Sequence, residues 1–163
     1  MTLIDTRRGL SGIEYFRRML AGEVSPPPML DLFNIRLVEV EPGRVVFTAT
    51  AEERFYNGTG VAHGGFAATL LDTALGCAIN STMPAGKRFT TLELKINLTR
   101  PLTIGAGPLR CEAAVVHVGG RTAVSAGRIV DRNGKLYAHG TTTCIVVESR
   151  PTAEDADDAE VKS

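Results

Sequence analysis

The run Phe66-Ala67-Ala68-Thr69-Leu70-Leu71-Asp72-Thr73-Ala74-Leu75-Gly76-Cys77-Ala78-Ile79 reads as a helix with almost no polar face. A helix that is apolar nearly all round must be covered nearly all round, and few folds can do that for a single helix in a chain of 163 residues. The run is too short to span a bilayer, and Asp72 interrupts it. A carboxylate buried there without a partner costs several kcal/mol or gives up its charge. Burial of Asp72 is therefore expected to be compensated, and chemistry is one way to compensate it.

The rest of the chain supplies strands. Ser11-Gly12-Ile13-Glu14 has capping-box spacing and opens a short helix to about Leu20, with Ile13, Phe16 and Leu20 on one side. Pro26-Pro27-Pro28 is read as forbidding helix. Strand patterns follow at 35–41 and 44–51 around a Pro42-Gly43 turn. The loop Tyr56-Asn57-Gly58-Thr59-Gly60 leads into the helix, read as 63–82 and stopped by Met83-Pro84-Ala85-Gly86. Four more strands are read near 89–98, 109–118, 123–131 and 135–147, the last two joined by the hairpin signal Asn133-Gly134. One helix cannot cover two sheets, whereas a curved antiparallel sheet can wrap around one helix, so the class is α+β. The free edge of such a sheet invites a second copy of the chain. The expected organisation is a helix and Pro-rich lead-in at 1–30, one domain at 31–149, and an acidic, aromatic-free, disordered tail at 150–163.

Composition removes several classes of function. Eighteen Lys plus Arg balance eighteen Asp plus Glu, so no basic field points to nucleic acid. Arg7, Arg8, Glu14, Arg17 and Arg18 break up any apolar core of a signal peptide, and no membrane segment is read. Cys77, Cys111 and Cys144 are odd in number and set in apolar surroundings; they read as reduced thiols of a cytoplasmic protein. The triplets at Asn57, Asn80 and Asn97 are then chance matches to a glycosylation signal. No Gly-x-Ser-x-Gly elbow, metal-ligand pair among His63, His117 and His139, or nucleotide-binding glycine loop is present. No metal or separate cofactor is expected.

Two features can carry chemistry. Asp72 is one. The other is the helix start at His63-Gly64-Gly65, where unsatisfied N–H groups and the positive end of the dipole favour an anion or a carbonyl oxygen becoming one. The spacing separates them: Asp72 lies nine residues after His63, about half a revolution round and ~13 Å along the axis. If the two cooperate on one carbon, they come from different subunits. Each has a plainer reading: a structural acid for Asp72, and glycines that merely turn the chain.

Asn57, then His63-Gly64-Gly65, Leu71-Asp72 and Gly76 together resemble the hotdog-fold acyl-CoA thioesterases, in particular the PaaI-like (phenylacetate-pathway) group. The run from Thr91 to Arg100-Pro101 looks like that family's strand after the helix, and Gly119-Gly120-Arg121-Thr122 and Gly134-Lys135 resemble its hairpins. The resemblance spans about residues 32–148 and implies a curved antiparallel sheet around one long helix. It implies hydrolysis of an acyl- or aryl-acyl-CoA, with coenzyme A part of the substrate and not a cofactor. Asp72 would be nucleophile or general base, and Gly64 of the opposite subunit the oxyanion donor. Asn57 and His63 would orient water or thioester, and Thr91 would hold the attacking water. Gly65, Gly119, Gly120, Arg121 and Thr122 would bind substrate, with Arg100 and Lys87 or Arg88 near the phosphates. Phe55 and Tyr56 would flank the acyl chain. The implied assembly is a homodimer as catalytic unit, pairing further into a homotetramer. A hotdog hydratase or dehydratase and a non-catalytic acyl-CoA-binding module are the competing readings. The first needs a different acid/base pair, and the second would lack the carboxylate.

Overall fold

The computed structural model describes residues 9–148; the tail expected at 150–163 and Arg7 and Arg8 lie outside them. Helices α1 (Gly12–Leu20) and α2 (Pro28–Leu32) precede strands β1 (Arg36–Glu41) and β2 (Arg44–Thr50). Helix α3 (Gly64–Asn80) follows, then β3 (Lys87–Leu98), β4 (Pro108–Val118), β5 (Thr122–Asp131) and β6 (Leu136–Glu148). The strands form one antiparallel sheet in the order β1-β2-β4-β5-β6-β3. α3 lies against this sheet and touches β2, β3, β4, β5 and β6. This is the curved sheet around a single helix that the apolar run demands, and it is the hotdog fold.

The core is the inner face of α3 against the sheet. Leu70, Leu71, Leu75 and Ile79 are fully buried with Val45, Phe47, Leu109 and Ile129. Two sheet side chains also hold the helix by its backbone. Ser125 Oγ donates to the Leu75 carbonyl at 2.9 Å, and Cys111 Sγ to the Leu70 carbonyl at 3.7 Å. Where β5 and β6 cross the helix, Gly127 stands opposite Gly140. A Cβ at either would come within 2.7 Å of the Glu112 carbonyl or 2.5 Å of the Lys95 carbonyl, so only glycine fits the pair.

Two local expectations change. Pro28 does not forbid helix but starts one: it is the first residue of α2, where a missing N–H costs nothing. α1 has its capping box, Ser11 with Glu14, but its buried face is Gly12, Tyr15 and Phe16; Leu20 is exposed. The face is set by docking. Gly12 donates to the Met83 carbonyl at 2.9 Å, and Tyr15 and Phe16 cluster with Val24 and with Leu37 and Val40 of β1. The Asn133-Gly134 hairpin is present as expected, with 132–135 between the two strands. Gly134 takes the positive φ (76°) while Asn133 does not, and Asp131 Oδ1 accepts from the amides of Asn133 and Lys135 at 2.8 and 3.0 Å.

On the outer side of the sheet, Arg110 reaches Glu39 (2.7 Å) and Glu112 (2.8 Å), with Arg44 and Arg128 completing the row. Hydrogen bonds from Arg110 hold both carboxyls below the usual carboxylate range. Depressed folded-state values mean that this stabilisation is present above the unfolded value of about 4.3 and fades as pH falls through the folded ones. Glu112→Gln is therefore expected to flatten the acid limb of stability below pH of about 4.3, measured by urea unfolding across pH. A second expectation concerns α1: a Cβ on Gly12 would sit 1.7 Å from the Asn80 carbonyl oxygen. Gly12→Ala should cost about 1–3 kcal/mol by overpacking, with faster amide exchange confined to α1 and its neighbours.

Candidate active site

Asp72 is not buried. It lies on the one strip of α3 that the sheet leaves open, with Gly65 also exposed and Ala68, Thr69 and Thr73 half-buried along it. This overturns the expectation of a buried charge. A helix without polar residues on most of its surface can still keep one uncovered strip when that strip is made of small residues. Asp72 needs no compensating cation there, because water solvates it in the single chain.

Its neighbour comes from the edge strand. Thr91 Oγ1, on β3, donates to Asp72 Oδ1 at 3.3 Å, a long bond between two exposed groups. Behind Thr91 stands the buried Cys144 Sγ, 4.0 Å from the hydroxyl. Burial pushes the Cys144 and Cys111 thiols up, so neither is a thiolate nucleophile at neutral pH. The exposed polar groups of this cluster are the Asp72 carboxylate and the Thr91 hydroxyl.

The helix start is built by the residues before it. His63 is the N-cap of α3, and its Nδ1 accepts from the Gly65 amide at 2.9 Å. The proton of a neutral ring is then on Nε2. Gly65's N–H is thereby used within the chain, whereas among the described residues the N–H of Gly64 has no partner. Leu98 crowds that glycine, its Cδ1 lying 2.9 Å from where a Cβ would be. Asn57 builds the preceding loop: its Oδ1 accepts from Thr59 N (2.9 Å) and Oγ1 (2.7 Å), which leaves the amide nitrogen as its remaining polar group. Gly64 precedes Asp72 by eight residues of helix, ~12 Å along the axis. Within one chain the two do not meet.

The remaining expected substrate contacts fall into two places. Gly119, Gly120 and Arg121 join β4 to β5, tied down by Gly119 N to the Thr122 carbonyl and Val146 N to the Arg121 carbonyl, both 2.8 Å. Thr122 pairs with Ile145 and Thr91 with Cys144, so this loop is at the Asp72 end of the sheet. Lys87, in an exposed 3.7 Å pair with Glu148, and Arg88 are at the same end. Arg100 is not: its guanidinium donates to the Leu136 carbonyl at 2.6 Å. Leu136 and Ile145 are nine residues apart on β6, roughly 30 Å.

Phe55 and Tyr56 do not line an open groove. Phe55 is stacked between Phe33 and Phe66, with centroids at 5.4 and 5.0 Å, and Tyr56 Oη accepts from Ile104 N at 2.7 Å. Both aromatics brace the loop that presents the helix start. Behind Thr91, Cys144 of β6 is one of the three thiols noted in the sequence, whereas its neighbour Thr142 has no part in the sequence reading. The available signal is Phe89, an apolar side chain in the phase that Glu93, Lys95 and Asn97 make polar.

Known proteins resemble this chain in sequence and in fold. A family model described as the thioesterase superfamily matches residues 59–138, from the glycine loop to the start of β6. Human acyl-coenzyme A thioesterase 13 is 30% identical over 113 residues, 69% of this chain and 79% of that one. A protein of Halobacterium salinarum, provisionally named an esterase, is 31% identical over 102 residues; these are 60% of this chain but only 66% of that relative's length. Among solved structures, the Escherichia coli PaaI protein from the phenylacetic acid degradation operon is 26% identical, with a TM-score of 0.74 over 88% of this chain and 99% of that one.

The cap at His63 is directly testable. His63→Ala removes the acceptor for the Gly65 amide and should cost about 1 kcal/mol, whereas His63→Asn, a good N-cap, should retain most of it. Equal unfolding free energies for wild type and the alanine variant would show that the ring does not hold the helix start.

Proposed function

We propose a reaction for this chain from one premise: it belongs to the thioesterase superfamily, in the PaaI-like group of hotdog-fold acyl-CoA thioesterases. The reaction is hydrolysis of an acyl- or aryl-acyl-CoA to the free acid and coenzyme A, carried out at the seam between two copies of the chain. The observation that carries this reading is the placement of two groups along one free strand. On β3, Asp72 stands over Thr91 and Gly64 over Leu98, near opposite ends of the edge.

A two-fold axis between Leu94 and Lys95, midway from Thr91 to Leu98, that pairs β3 antiparallel with its copy exchanges these two positions. Asp72 of one subunit then faces Gly64 of the partner subunit, and the ~12 Å that separates them within one chain no longer matters. The same operation moves Arg100 of the partner subunit toward the Gly119-Thr122 end, where Lys87 and Arg88 also lie. That end becomes the place for the nucleotide arm of coenzyme A, whose phosphates suit Arg and Lys.

With the thioester carbonyl oxygen at the Gly64 amide, charge that develops on it is stabilised by a donor at the positive end of α3, an effect worth roughly 2.7–4 kcal/mol. Asp72, with Thr91 beside it, takes a proton from water as the water oxygen bonds to the carbonyl carbon. The tetrahedral intermediate collapses, the C–S bond breaks, and the departing thiolate takes up the proton. Direct attack by the carboxylate would instead give an acyl-Asp72 anhydride that water must open. After a single turnover in H2-18O, label in the Asp72 side chain establishes the second route, since only an anhydride opened at the Asp72 carbonyl puts it there. The free acid and coenzyme A need no further cofactor, and pairing of dimers into a tetramer belongs to the same proposal.

Thiol release from a panel of aliphatic and aryl CoA thioesters tests the reading. Asp72→Asn should lower turnover about a hundredfold or more, the contribution of an aligned acid/base group. Full turnover in that variant would remove Asp72 from the mechanism. Tight coenzyme A binding with no thiol release from any thioester would favour the binding module.

A further inference from the structure

Strand β3 carries two phases of side chain. Leu92, Leu94, Ile96 and Leu98 alternate with Glu93, Lys95 and Asn97. Continued backward without a break, this alternation would turn Thr90 and Arg88 toward α3, and Thr91 and Phe89 away from it. The structure has the reverse. Phe89 lies against α3, two of its ring carbons 3.0 and 3.2 Å from the Cβ position of Gly76, and Thr91 reaches Asp72. Leu94 and Ile96 nevertheless pack on the core.

A β-bulge makes the change of phase. Thr91 stands opposite Cys144 and Glu93 opposite Thr143, so Leu92 has no cross-strand partner, and it is 60% exposed. In a regular ladder Leu92 would pair with Cys144 and take the inward place beside Asp72. The site would then present an isobutyl group where it now presents a hydroxyl. Bulges break the ladder locally and re-aim side chains, so something must hold the displaced backbone. That group is on β6: the fully buried Thr142 donates from Oγ1 to the Glu93 carbonyl at 2.8 Å. On the opposite, solvent-facing side, Thr143 Oγ1 touches the Glu93 carboxylate at 3.3 Å.

We propose that Thr142 is a positioning residue for hydrolysis: its hydroxyl fixes the bulge at Leu92 and so aims Thr91 at Asp72. This rests on the reading of Asp72 as the reacting carboxylate. Thr142 itself touches neither Asp72 nor the place for substrate; it acts through the backbone of Glu93 and the phase of the strand.

Thr142→Val keeps the shape and the strand preference while removing the hydroxyl, and Thr142→Ser keeps the hydroxyl. On any thioester that wild type hydrolyses, Thr142→Val should lower kcat about tenfold with KM within about twofold, as expected for a misaimed group. Thr142→Ser should restore the rate, and Thr143→Val should leave it unchanged. In a Thr91→Val background, Thr142→Val should add little, because the group it positions is already gone. Wild-type kcat in Thr142→Val, or its full penalty in the Thr91→Val background, would overturn the proposal. A second readout does not depend on turnover. The NOE between the Thr91 methyl and the Asp72 β-protons should weaken in Thr142→Val and persist in Thr142→Ser. An unchanged NOE would refute the positioning role even if no thioester is hydrolysed, an outcome that would by itself defeat only the functional reading. Should the valine variant fail to fold, Thr142→Ala supports the same comparisons.

Discussion

The rotation of α3 about its own axis decides what this chain can do. The buried Ser125 hydroxyl and Cys111 thiol donate to helix carbonyls that already accept intrahelical bonds, using the second lone pair each carbonyl has. In a low-dielectric interior such bonds are worth keeping and hard to replace. They hold the Leu70-Leu71-Ala74-Leu75 face on the sheet, and the 100° step between residues then carries Asp72 to the open strip. Turned by one residue, the helix would push that carboxylate beneath the strands, where desolvation would cost several kcal/mol. Polar bonds in the core thus keep a charge out of it.

The motif around the helix start has as much to do with backbone as with chemistry. Asn57 closes a loop onto Thr59, His63 caps the helix through Gly65, and the Phe33-Phe55-Phe66 stack supports both. Among the described residues, the Gly64 amide at this helix start is left without a partner. Removing any of these supports alters where that amide points before it alters any reacting group.

Much of the fold was legible because it follows from periodicity. The order of helix and strands, the Ser11 cap and the turns at Gly43 and Gly134 come from local patterns that tertiary packing did not override. The misreadings share a cause. Pro28 starting α2, the rotated face of α1, and Phe55 turned into a stack are each decided by a contact distant in sequence. The exposure of Asp72 belongs with them, since composition around a helix does not say which strip the sheet leaves uncovered. The bulge at Leu92 is a subtler case: the alternation of 92–98 is plain in the sequence, but the buried threonine that breaks its phase lies fifty residues downstream of Leu92. The pairing of Thr91 with Asp72 is invisible without that break.

The unpaired side of β3 has a consequence for the lone chain. It sets Leu92 and Leu98 largely in water, 60% and 57% exposed, beside a row of backbone donors and acceptors with no strand alongside. Such an edge is a template for any extended segment, and natural sheets blunt it or fill it. β3 is only half blunted, by Glu93, Lys95 and a bulge. On the two-fold pairing proposed above, dilution would expose this sticky margin at the same moment that it took the carboxylate away from the amide it works with. Solubility and reactivity would then be functions of the same encounter between chains.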